Sequence, residues 1–252
     1  MQARRVAPAL LIAGFMIASV MAASLTAARA GEPRALLELF TSQGCSSCPP
    51  ADRLVGQLAT DPSLIALSVP IDYWDYLGWR DTLANSAHSA RQRAYARARG
   101  DGQVYTPQIV VNGAADALGS DQAAVERAIS QTDHRAGVMS LPVELALSNG
   151  ALNVSVPAAD KAPAAAEVWL CPIAKAVPVA IGRGENRGRT ITYHNVVRSW
   201  LKLGTLSATQ SSWNVPIGQI RAEGIDAVVI MVQEGSHERP GIILGAALTD
   251  FR

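Results

Sequence analysis

The stretch LELFTSQGCSSCPPAD, residues 37–52, decides the fold, because it joins an apolar run to a pair of cysteines and then to a helical segment. The apolar run up to Thr41 predicts a strand, and Ser42-Gln43-Gly44 predicts the turn that ends it. Cys45 then lies near the start of a helix, where the positive end of the macrodipole favours a thiolate, the nucleophile of disulfide exchange. Cys48 follows one turn later and can attack a mixed disulfide. The stretch predicts a redox-active dithiol.

Two prolines, Pro49 and Pro50, follow the second cysteine directly. A residue that precedes proline is driven away from helical geometry. If the helix begins only at Pro50, Cys45 lies one turn further out and gains less from the helix dipole. The sequence therefore leaves the acidity of Cys45 open, and with it the reduction potential of the pair.

Residues 35–133 alternate apolar strand-like runs with helical segments. Residues 64–71 are almost continuously apolar, as a buried parallel strand should be. Asn112-Gly113 predicts a hairpin turn, and Ser120 can cap the last helix. The predicted strands are 35–41, 64–71, 109–111 and a fourth after Gly113, and the predicted helices are 51–60, 84–99 and 121–131. The predicted order is therefore β-α-β-α-β-β-α.

This order, with a Cys-x-x-Cys after the first strand, resembles the thioredoxin fold. A second feature supports the resemblance, because Thr106-Pro107 stands just before the third strand, where that fold has a cis-proline facing the cysteine pair. A cis bond before proline is rare enough to indicate a specific role. The resemblance implies that Thr106 and Pro107 present the backbone to which an extended substrate peptide pairs.

Residues 137–252 have a different sequence pattern, in which short apolar runs are separated by Gly, Pro and Asn. Many short strands with turn residues between them predict an antiparallel, sandwich-like unit. The predicted strands are 143–147, 152–156, 166–171, 177–181, 190–203, 227–232 and 242–249, with 157–165 as an exposed loop. The predicted fold class is an α/β thioredoxin-like domain at residues 31–136, followed by an all-β, sandwich-like domain at residues 137–252.

The first thirty residues have the pattern of a secretory signal peptide, with Arg4-Arg5, an apolar run and the cleavage pattern Ala28-Arg29-Ala30. The alternative is an uncleaved membrane anchor, for which the apolar run is short. Removing residues 1–30, which hold three arginines and no acids, takes the formal net charge from +1 to −2. We therefore expect a periplasmic or secreted protein that binds neither nucleic acid nor, after signal cleavage, a membrane.

The interpretation of the three cysteines depends on the expected export, because disulfides persist outside the cytoplasm. Cys45 and Cys48 close a loop too small to staple a fold. Cys171 lies on an apolar run and is expected to be a buried, inert thiol. No cofactor and no metal are predicted. A soft-metal site made of the cysteine pair and a histidine is the open alternative, although none of the four histidines has diagnostic spacing.

Aromatic residues are concentrated in IDYWDYLGW, residues 71–79, directly after the second strand. Trp74 and Tyr76 are candidate substrate-binding residues beside the dithiol, and the alternative is a rigid loop packed on the core. Carboxylates near the buried thiol move protons in thioredoxins, so the resemblance makes Asp72 a candidate proton shuttle for Cys48.

A Gly-rich, basic segment, GRGENRGR, occupies residues 182–189. Its glycine spacing is one residue too long for a dinucleotide fingerprint, and it lacks the Gly-Lys-Ser/Thr of a phosphate loop. We expect a charged hairpin held by pairs between Glu185 and neighbouring arginines. The alternative is a segment that packs against the first domain or forms the rim of the active-site cleft.

Five segments together resemble a family of secreted bacterial thioredoxin-like proteins of unknown function. They are LELFTSQGCSSCPPAD at 37–52, IDYWDYLGW at 71–79, RQRAY at 91–95, YTPQIVVNG at 105–113 and GENRGRTITYHNVV at 184–197. The resemblance covers almost the whole chain after residue 30. It implies a thioredoxin-like first half and a β-rich second half, but no particular substrate.

These features predict a periplasmic thiol–disulfide oxidoreductase-like protein whose catalytic residues are Cys45 and Cys48 and whose partners are protein thiols and disulfides. Cys45 attacks a disulfide, or accepts attack when oxidised, and Cys48 resolves the mixed disulfide. The alternative is a non-enzymatic binding module or a copper-handling chaperone on the same scaffold. The sequence determines neither the direction of exchange nor the role of residues 137–252.

Overall fold

The computed structural model describes residues 32–158, 165–207, 209 and 211–251. The predicted signal peptide and most of the predicted loop 157–165 lie outside these residues. Within the described ranges, no helix has both the length and the apolar character needed to cross a bilayer.

The elements follow one another as a mixed α/β chain that is rich in strands. The strands are β1 (Ala35–Thr41), β2 (Leu64–Pro70), β3 (Gln108–Val111), β4 (Ala115–Leu118), β5 (Glu144–Ser148), β6 (Ala151–Val156), β7 (Ala166–Ala180), β8 (Thr190–Val197), β9 (Leu201–Thr205), β10 (Ser211–Pro216), β11 (Ala227–Ser236) and β12 (Arg239–Asp250). The helices are α1 (Pro49–Leu58), α2 (Ser86–Arg99), α3 (Gln122–Asp133) and α4 (Ile217–Ile220), with a short 3-10 helix at Asp75–Leu77.

One large sheet runs through the described molecule in the strand order β12-β11-β7-β8-β2-β1-β3-β4, and β9 pairs with β7. β1 is parallel to β2 and antiparallel to β3, which is in turn antiparallel to β4. Every residue of β1 and β2 is buried, including Glu38 of β1, as the largely apolar run of residues 64–71 predicts for β2. The carboxyl end of the central strand β1 therefore leads directly into the cysteine-containing segment.

Side chains of β1 enter two different apolar clusters, because successive strand residues point to opposite faces of a sheet. Leu37 packs in the cluster that contains Val55 of α1 and Val125 of α3. Phe40 packs in the cluster that contains Tyr95 of α2. Helices thus cover both faces of β1, and this packing fixes where α1 begins relative to the sheet.

The second half of the chain is only partly the separate all-β unit that the sequence predicts. β8 lies beside β2, with Ser68 opposite Val196, so both halves share one sheet. Without β8, the buried edge of β2 would leave backbone N–H and C=O groups unpaired. β5, β6 and β10 form a second sheet, and residues such as Leu152 pack against Leu170 and Ile230 of the large sheet in a sandwich-like manner. The division at residue 136 stays a prediction.

Several element boundaries differ from the sequence-based prediction. The two predicted strands on either side of Pro172 form the single strand β7. The single predicted strand 190–203 is instead β8 and β9, because the chain leaves the sheet between Val197 and Leu201. β10 was not predicted, since SSWNVP is polar and ends in proline. The N-cap of α3 is Asp121 and not Ser120, and its carboxylate accepts from the N–H of Ala124 at 2.9 Å.

Candidate functional site

The cysteine loop, residues 42–48, connects the end of β1 to the start of α1. The N–H of Cys45 donates to the carbonyl of Ser42 at 3.1 Å, and the N–H of Cys48 donates to the carbonyl of Cys45 at 3.2 Å. Cys48 is the N-cap residue of α1, and its carbonyl accepts from the N–H groups of Ala51 and Asp52. The loop therefore coils as two tight turns that lead into the helix.

The two prolines do not delay the helix. α1 begins at Pro49, and Cys48 keeps right-handed helical geometry (φ −77°, ψ −34°) although a proline follows it. Pro49 and Pro50 occupy the first two helical positions, where a backbone N–H has no partner within the helix. The positive end of the helix dipole is therefore nearest Cys48, and Cys45 lies three residues further out.

Cys45 and Cys48 are joined by a disulfide, and their Cα atoms are 5.4 Å apart. The predicted pairing of the two cysteines is confirmed. Cys48 is fully buried, whereas Cys45 retains 4% of its accessible surface, and both Ser46 and Ser47 are exposed. A thiolate that approaches from solvent therefore meets the sulfur of Cys45 first.

The Thr106–Pro107 peptide bond is cis, as the sequence predicts. It lies beside the cysteine loop, because Oγ of Ser47 is 3.4 Å from both Sγ of Cys45 and the carbonyl oxygen of Thr106. On its other side, the carbonyl of Pro107 accepts from the N–H of Gly119 at 2.9 Å. A Cβ atom on Gly119 would lie 3.2 Å from Cβ of Pro107, so the close approach of these two segments favours glycine.

Two aromatic side chains are adjacent to this cis bond. Nε1 of Trp74 donates to Oγ1 of Thr106 at 2.8 Å. The indole stacks on Tyr76 with the ring centroids 6.2 Å apart, and Tyr76 is 76% exposed. The structure thus brings the predicted residues Trp74, Tyr76, Thr106 and Pro107 together at the edge of the cysteine loop, where their role in substrate binding stays a prediction.

The carboxylate of Asp72 is directed to α2 and not into the cysteine loop. Oγ of Ser89 donates to Oδ1 of Asp72, and the N–H of Asp72 donates to the same hydroxyl at 3.3 Å. The predicted proton-shuttle role of Asp72 remains a prediction. A second carboxylate, that of Asp52, follows Cys48 by one helical turn and lies on the same side of the helix.

Asp52 is completely buried, and sequence reasoning did not single it out. Oγ1 of Thr41 donates to its Oδ1 at 2.7 Å, while its Oδ2 has no hydrogen-bond partner among the described residues. Burial raises the pKa of Asp52 to about 8. The hydrogen bond from Thr41 lowers this pKa, and the negative charge of Asp81 raises it further. A buried carboxyl group of this kind is protonated at neutral pH and can exchange a proton.

Two further acidic groups lie in the same buried region. Burial raises the pKa of Asp81 to about 6, although the backbone N–H groups of Gln43 and Leu83 donate to it. Tyr193 comes from β8, and its pKa is raised by burial and then by the charges of Asp52 and Asp81. Its hydroxyl has no hydrogen-bond partner within the described part of the chain. Both halves of the chain therefore contribute to the acidic groups near the cysteine loop.

We expect replacement of Asp52 by asparagine to make stability less dependent on pH. Because the pKa of Asp52 is raised on folding from 3.8 to about 8, the folded protein retains a proton that the unfolded chain loses between these pH values. Asp52 therefore makes the free energy of unfolding fall as the pH rises from about 4 to 8, by up to about 1.4 kcal/mol per pH unit. Urea unfolding of the oxidised protein at pH 5, 6, 7 and 8 should show a shallower slope for Asp52→Asn. An unchanged slope would contradict the raised pKa.

A segment from the second half also contacts the cysteine loop. Nδ2 of Asn186 donates to the carbonyls of Gln43 at 3.0 Å and of Cys45 at 2.8 Å. The side-chain oxygen of Gln43 accepts from Nε1 of Trp79 at 2.8 Å, and its N–H donates to Asp81 at 2.8 Å. The Gly-rich segment 182–189 therefore packs against the first half, which was the alternative to the charged hairpin.

The expected pairing of Glu185 with arginine is not found within the described residues, where Arg189 donates instead to Oδ1 of Asn186 at 3.2 Å. Sequence reasoning had singled out the Gly-rich segment but not Asn186 itself. The only local signal was an amide residue between glycines, which indicates a turn and not a contact.

The third cysteine and the histidines do not join this site. Cys171 is fully buried, and burial raises the pKa of its thiol, as expected for an inert core cysteine. Nδ1 of His88 is 2.8 Å from the carbonyl of Pro70, and His237 lies against Trp169. Over the residues that the structure describes, no three side chains of the His, Cys, Asp or Glu type form a group able to hold a metal ion.

Comparison with known proteins identifies a family but no activity. A family model described as "Protein of unknown function (DUF1223)" matches residues 36–233. A crystal structure of a protein from Agrobacterium tumefaciens is similar over 86% of this chain and 94% of that chain, with 26% sequence identity and a TM-score of 0.77. No curated protein matches the sequence. The similar structure thus extends over nearly the whole described chain, including both halves of the large sheet.

Proposed function

Since the chain belongs to the DUF1223 family of proteins of unknown function, we propose from its cysteine site that it carries out thiol–disulfide exchange with protein substrates. The observation that carries this proposal is the difference between the two sulfurs of one disulfide. Cys45 keeps 4% of its accessible surface beside the cis bond at Pro107, whereas Cys48 keeps none and lies one helical turn before Asp52. In such an arrangement Sγ of Cys45 attacks a disulfide or is attacked by a thiolate, and Sγ of Cys48 resolves the mixed disulfide.

Exchange from the oxidised state starts at Cys45, the more accessible of the two cysteines. A substrate thiolate attacks Sγ of Cys45, so a bond forms between these sulfurs while the Cys45–Cys48 bond breaks. The sulfur of Cys48 leaves as a thiolate and takes the proton of Asp52, whose pKa of about 8 is close to that of a thiol. A second substrate thiolate then attacks the substrate sulfur of the mixed disulfide, and Cys45 leaves as a thiolate.

The electrons balance in both directions. In the forward direction two substrate thiols become a disulfide, and their two electrons reduce the Cys45–Cys48 bond to a dithiol. In the reverse direction the Cys45 thiolate attacks a substrate disulfide, and one substrate sulfur leaves as a thiolate. Asp52 in its ionised form then accepts the proton of Cys48, and the Cys48 thiolate displaces the second substrate sulfur from Cys45. The same two sulfurs and one carboxyl group therefore serve oxidation and reduction.

We also propose that the first half of the chain is thioredoxin-like. The support is the element order β1-α1-β2-α2-β3-β4-α3, the strand order β2-β1-β3-β4, and a Cys-x-x-Cys motif at the amino end of α1. The cis bond before Pro107 leads into β3 beside the cysteine loop. A fold likeness alone does not identify an activity, so the exchange proposal depends on the site.

Substrate docking is assigned to the strip formed by Trp74, Tyr76, Thr106 and Pro107. The aromatic pair, made of the partly buried Trp74 and the exposed Tyr76, offers an apolar surface, and Nε1 of Trp74 holds the side chain of Thr106 in place. An extended polypeptide with a cysteine at Cys45 would lie against this strip, with an apolar side chain on the aromatic rings.

An exported location fits this function, although residues 1–30 lie outside the described structure. The charged start, apolar run and small-x-small pattern of these residues support export to the periplasm or beyond. A disulfide also persists in an oxidising compartment, where protein thiols and disulfides are the available partners. No observation on the described residues favours the copper-handling alternative.

The test of this proposal is the equilibrium of the Cys45–Cys48 couple with mixtures of reduced and oxidised glutathione. We expect reversible opening and closing of the disulfide, followed by alkylation and mass analysis, with a reduction potential between about −270 and −120 mV, the range of known exchange proteins. The protein should also catalyse insulin reduction or the refolding of a scrambled disulfide protein. A potential below about −300 mV, together with no activity in either assay, would indicate a structural disulfide and refute the proposal.

A further inference from the structure

The segment that joins β7 to β8, residues 181–189, places a buried amide on the cysteine loop. Asn186 is 1% exposed, although its neighbours Glu185 and Arg187 are exposed. Its Nδ2 donates to the carbonyl of Gln43 at 3.0 Å and to the carbonyl of Cys45 at 2.8 Å. The side chain of Asn186 thus spans the turn that carries Cys45, although the two residues are 141 positions apart in the chain.

The orientation of this amide is fixed by the segment itself. Nη1 of Arg189 donates to Oδ1 of Asn186 at 3.2 Å, so the amide oxygen faces the guanidinium and the amide nitrogen faces the two carbonyls. The N–H of Gly188 donates to the carbonyl of Ile181 at 2.8 Å, and the N–H of Ile181 donates to the carbonyl of Arg189 at 2.9 Å. These backbone bonds close the segment and leave Asn186 at its tip.

Trp79 packs the segment against the first half of the chain. A Cβ atom on Gly182 would lie 3.1 Å from the indole, and a Cβ atom on Gly184 would lie 3.4 Å from Cβ of Trp79. The indole N–H donates to the side chain of Gln43, the same residue whose carbonyl accepts from Asn186. Asn186 is therefore held from both sides, and its contact with the loop does not depend on one hydrogen bond.

The amide has an electrostatic effect at the position of Cys45. The helix dipole is directed at Cys48, because α1 begins at Pro49 and Cys45 lies outside its first turn. A donor on the carbonyl of Cys45 reduces the negative potential that this carbonyl exerts on a thiolate nearby. The positive charge of Arg189 behind the amide acts in the same direction.

We infer that Asn186, oriented by Arg189, is a positioning residue that holds Cys45 in the cysteine loop and stabilises its thiolate form. This inference rests on the proposed function only in taking the Cys45 thiolate to be the reacting species. It gives the second half of the chain a role in the site, since the strands β7 and β8 carry the segment whose Asn186 holds Cys45 in place. A lone thioredoxin-like half would lack this donor.

The test measures the reactivity of Cys45 directly in the reduced full chain. The rate of alkylation of Cys45 by iodoacetamide is followed against pH, with the site identified by peptide mass analysis. In Asn186→Asp a carboxylate oxygen replaces the donor, so the midpoint of the rate profile should rise by about one pH unit relative to the wild-type protein. Arg189→Gln leaves the amide in place but removes the charge, and its midpoint should rise by a smaller amount. Asn214→Asp, in the distant strand β10, is the matched control and should not change the midpoint.

The equilibrium with glutathione provides a second measurement. Loss of a residue with a merely structural role would not shift this equilibrium in favour of the disulfide. Destabilising the thiolate destabilises the reduced protein, so the equilibrium constant should shift about tenfold in favour of the disulfide in Asn186→Asp, which is about 30 mV toward a more negative potential. Unchanged alkylation midpoints in both Asn186→Asp and Arg189→Gln would overturn the inference. If Asn186→Asp does not fold, an unchanged midpoint in Arg189→Gln overturns it alone. Shifted midpoints in a protein without exchange activity would instead uphold the inference and refute the proposed function.

Discussion

The Cys48→Ser variant is expected to accumulate a stable mixed disulfide between Cys45 and its substrate, and to lose catalytic turnover. Cys45 remains able to attack a disulfide, but no second thiol can then displace the substrate from it. In the Cys45→Ser variant neither the mixed disulfide nor turnover is expected, because the remaining thiol of Cys48 is fully buried. Non-reducing gels and intact mass measurement after incubation with oxidised glutathione or a scrambled disulfide protein distinguish the two outcomes.

Cys171 offers the matched control for these variants. Its thiol is buried in the core with a raised pKa, so Cys171→Ala should retain the wild-type rate of exchange. Mixed disulfides that form in Cys45→Ser and not in Cys48→Ser would show that the roles of the two sulfurs are reversed. If neither variant nor the wild-type protein forms a mixed disulfide, the exchange function itself is wrong.

The Arg91→Met variant is expected to lose about 3–5 kcal/mol of stability, because it leaves the buried carboxylate of Glu38 without its counter-charge. Both side chains are completely inaccessible, with Nε of Arg91 2.6 Å from Oε1 of Glu38. Nη2 of Arg91 also donates to the second carboxylate oxygen and to Gln233 of β11, both at 3.0 Å, and the guanidinium lies 4.4 Å from the ring centroid of Trp200. One cation therefore joins α2, β1 and β11, and methionine can fill its volume but not replace its charge.

Urea unfolding of the oxidised protein measures this loss, provided that the m-value is unchanged. Arg97→Met, at an exposed position of the same helix, is the control and should change the free energy of unfolding by no more than about 0.5 kcal/mol. The double variant Arg91→Met/Glu38→Gln should recover part of the loss, because it removes the uncompensated charge. A loss below about 1 kcal/mol in Arg91→Met would show that Glu38 finds another partner or a proton.

The sequence was most informative where one local signal determines one local structure. The largely apolar run of residues 35–41 predicts a strand, and β1 has these same bounds. Cys45 and Cys48, three positions apart, predict a disulfide pair, and the pair forms. The Thr106–Pro107 bond is cis, as the resemblance to the thioredoxin fold implies. In each case the chemistry involves residues that are neighbours in the chain or lie within one element.

Sequence reasoning was less successful where partners are far apart in the chain. The resemblance to thioredoxins makes Asp72 the candidate carboxylate for Cys48. In the structure that side chain bonds to Ser89, and its role as a proton shuttle stays a prediction. The pKa of Asp52 is raised because its carboxyl group is buried among several elements, and no sequence pattern reports the burial of a single carboxylate. The sequence does not identify Asn186 either, because its contacts with Gln43 and Cys45 join residues that are far apart in the chain.

The sequence by itself thus predicted the first strand and the strand-rich character of the second half, because both follow from apolar patterning and turn residues. The cysteine pair follows from the Cys-x-x-Cys spacing, and the cis bond before Pro107 follows from the resemblance to the thioredoxin fold. Only the tertiary structure decided that β8 lies beside β2, so that both halves share one sheet. It also decided where the cysteine pair stands. Cys48 is the N-cap of the helix that begins at Pro49, one turn before the buried carboxyl of Asp52, and the carbonyl of Cys45 accepts from the amide of Asn186. These features depend on which distant groups packing brings together, and packing is a property of the whole chain and not of any one stretch of it.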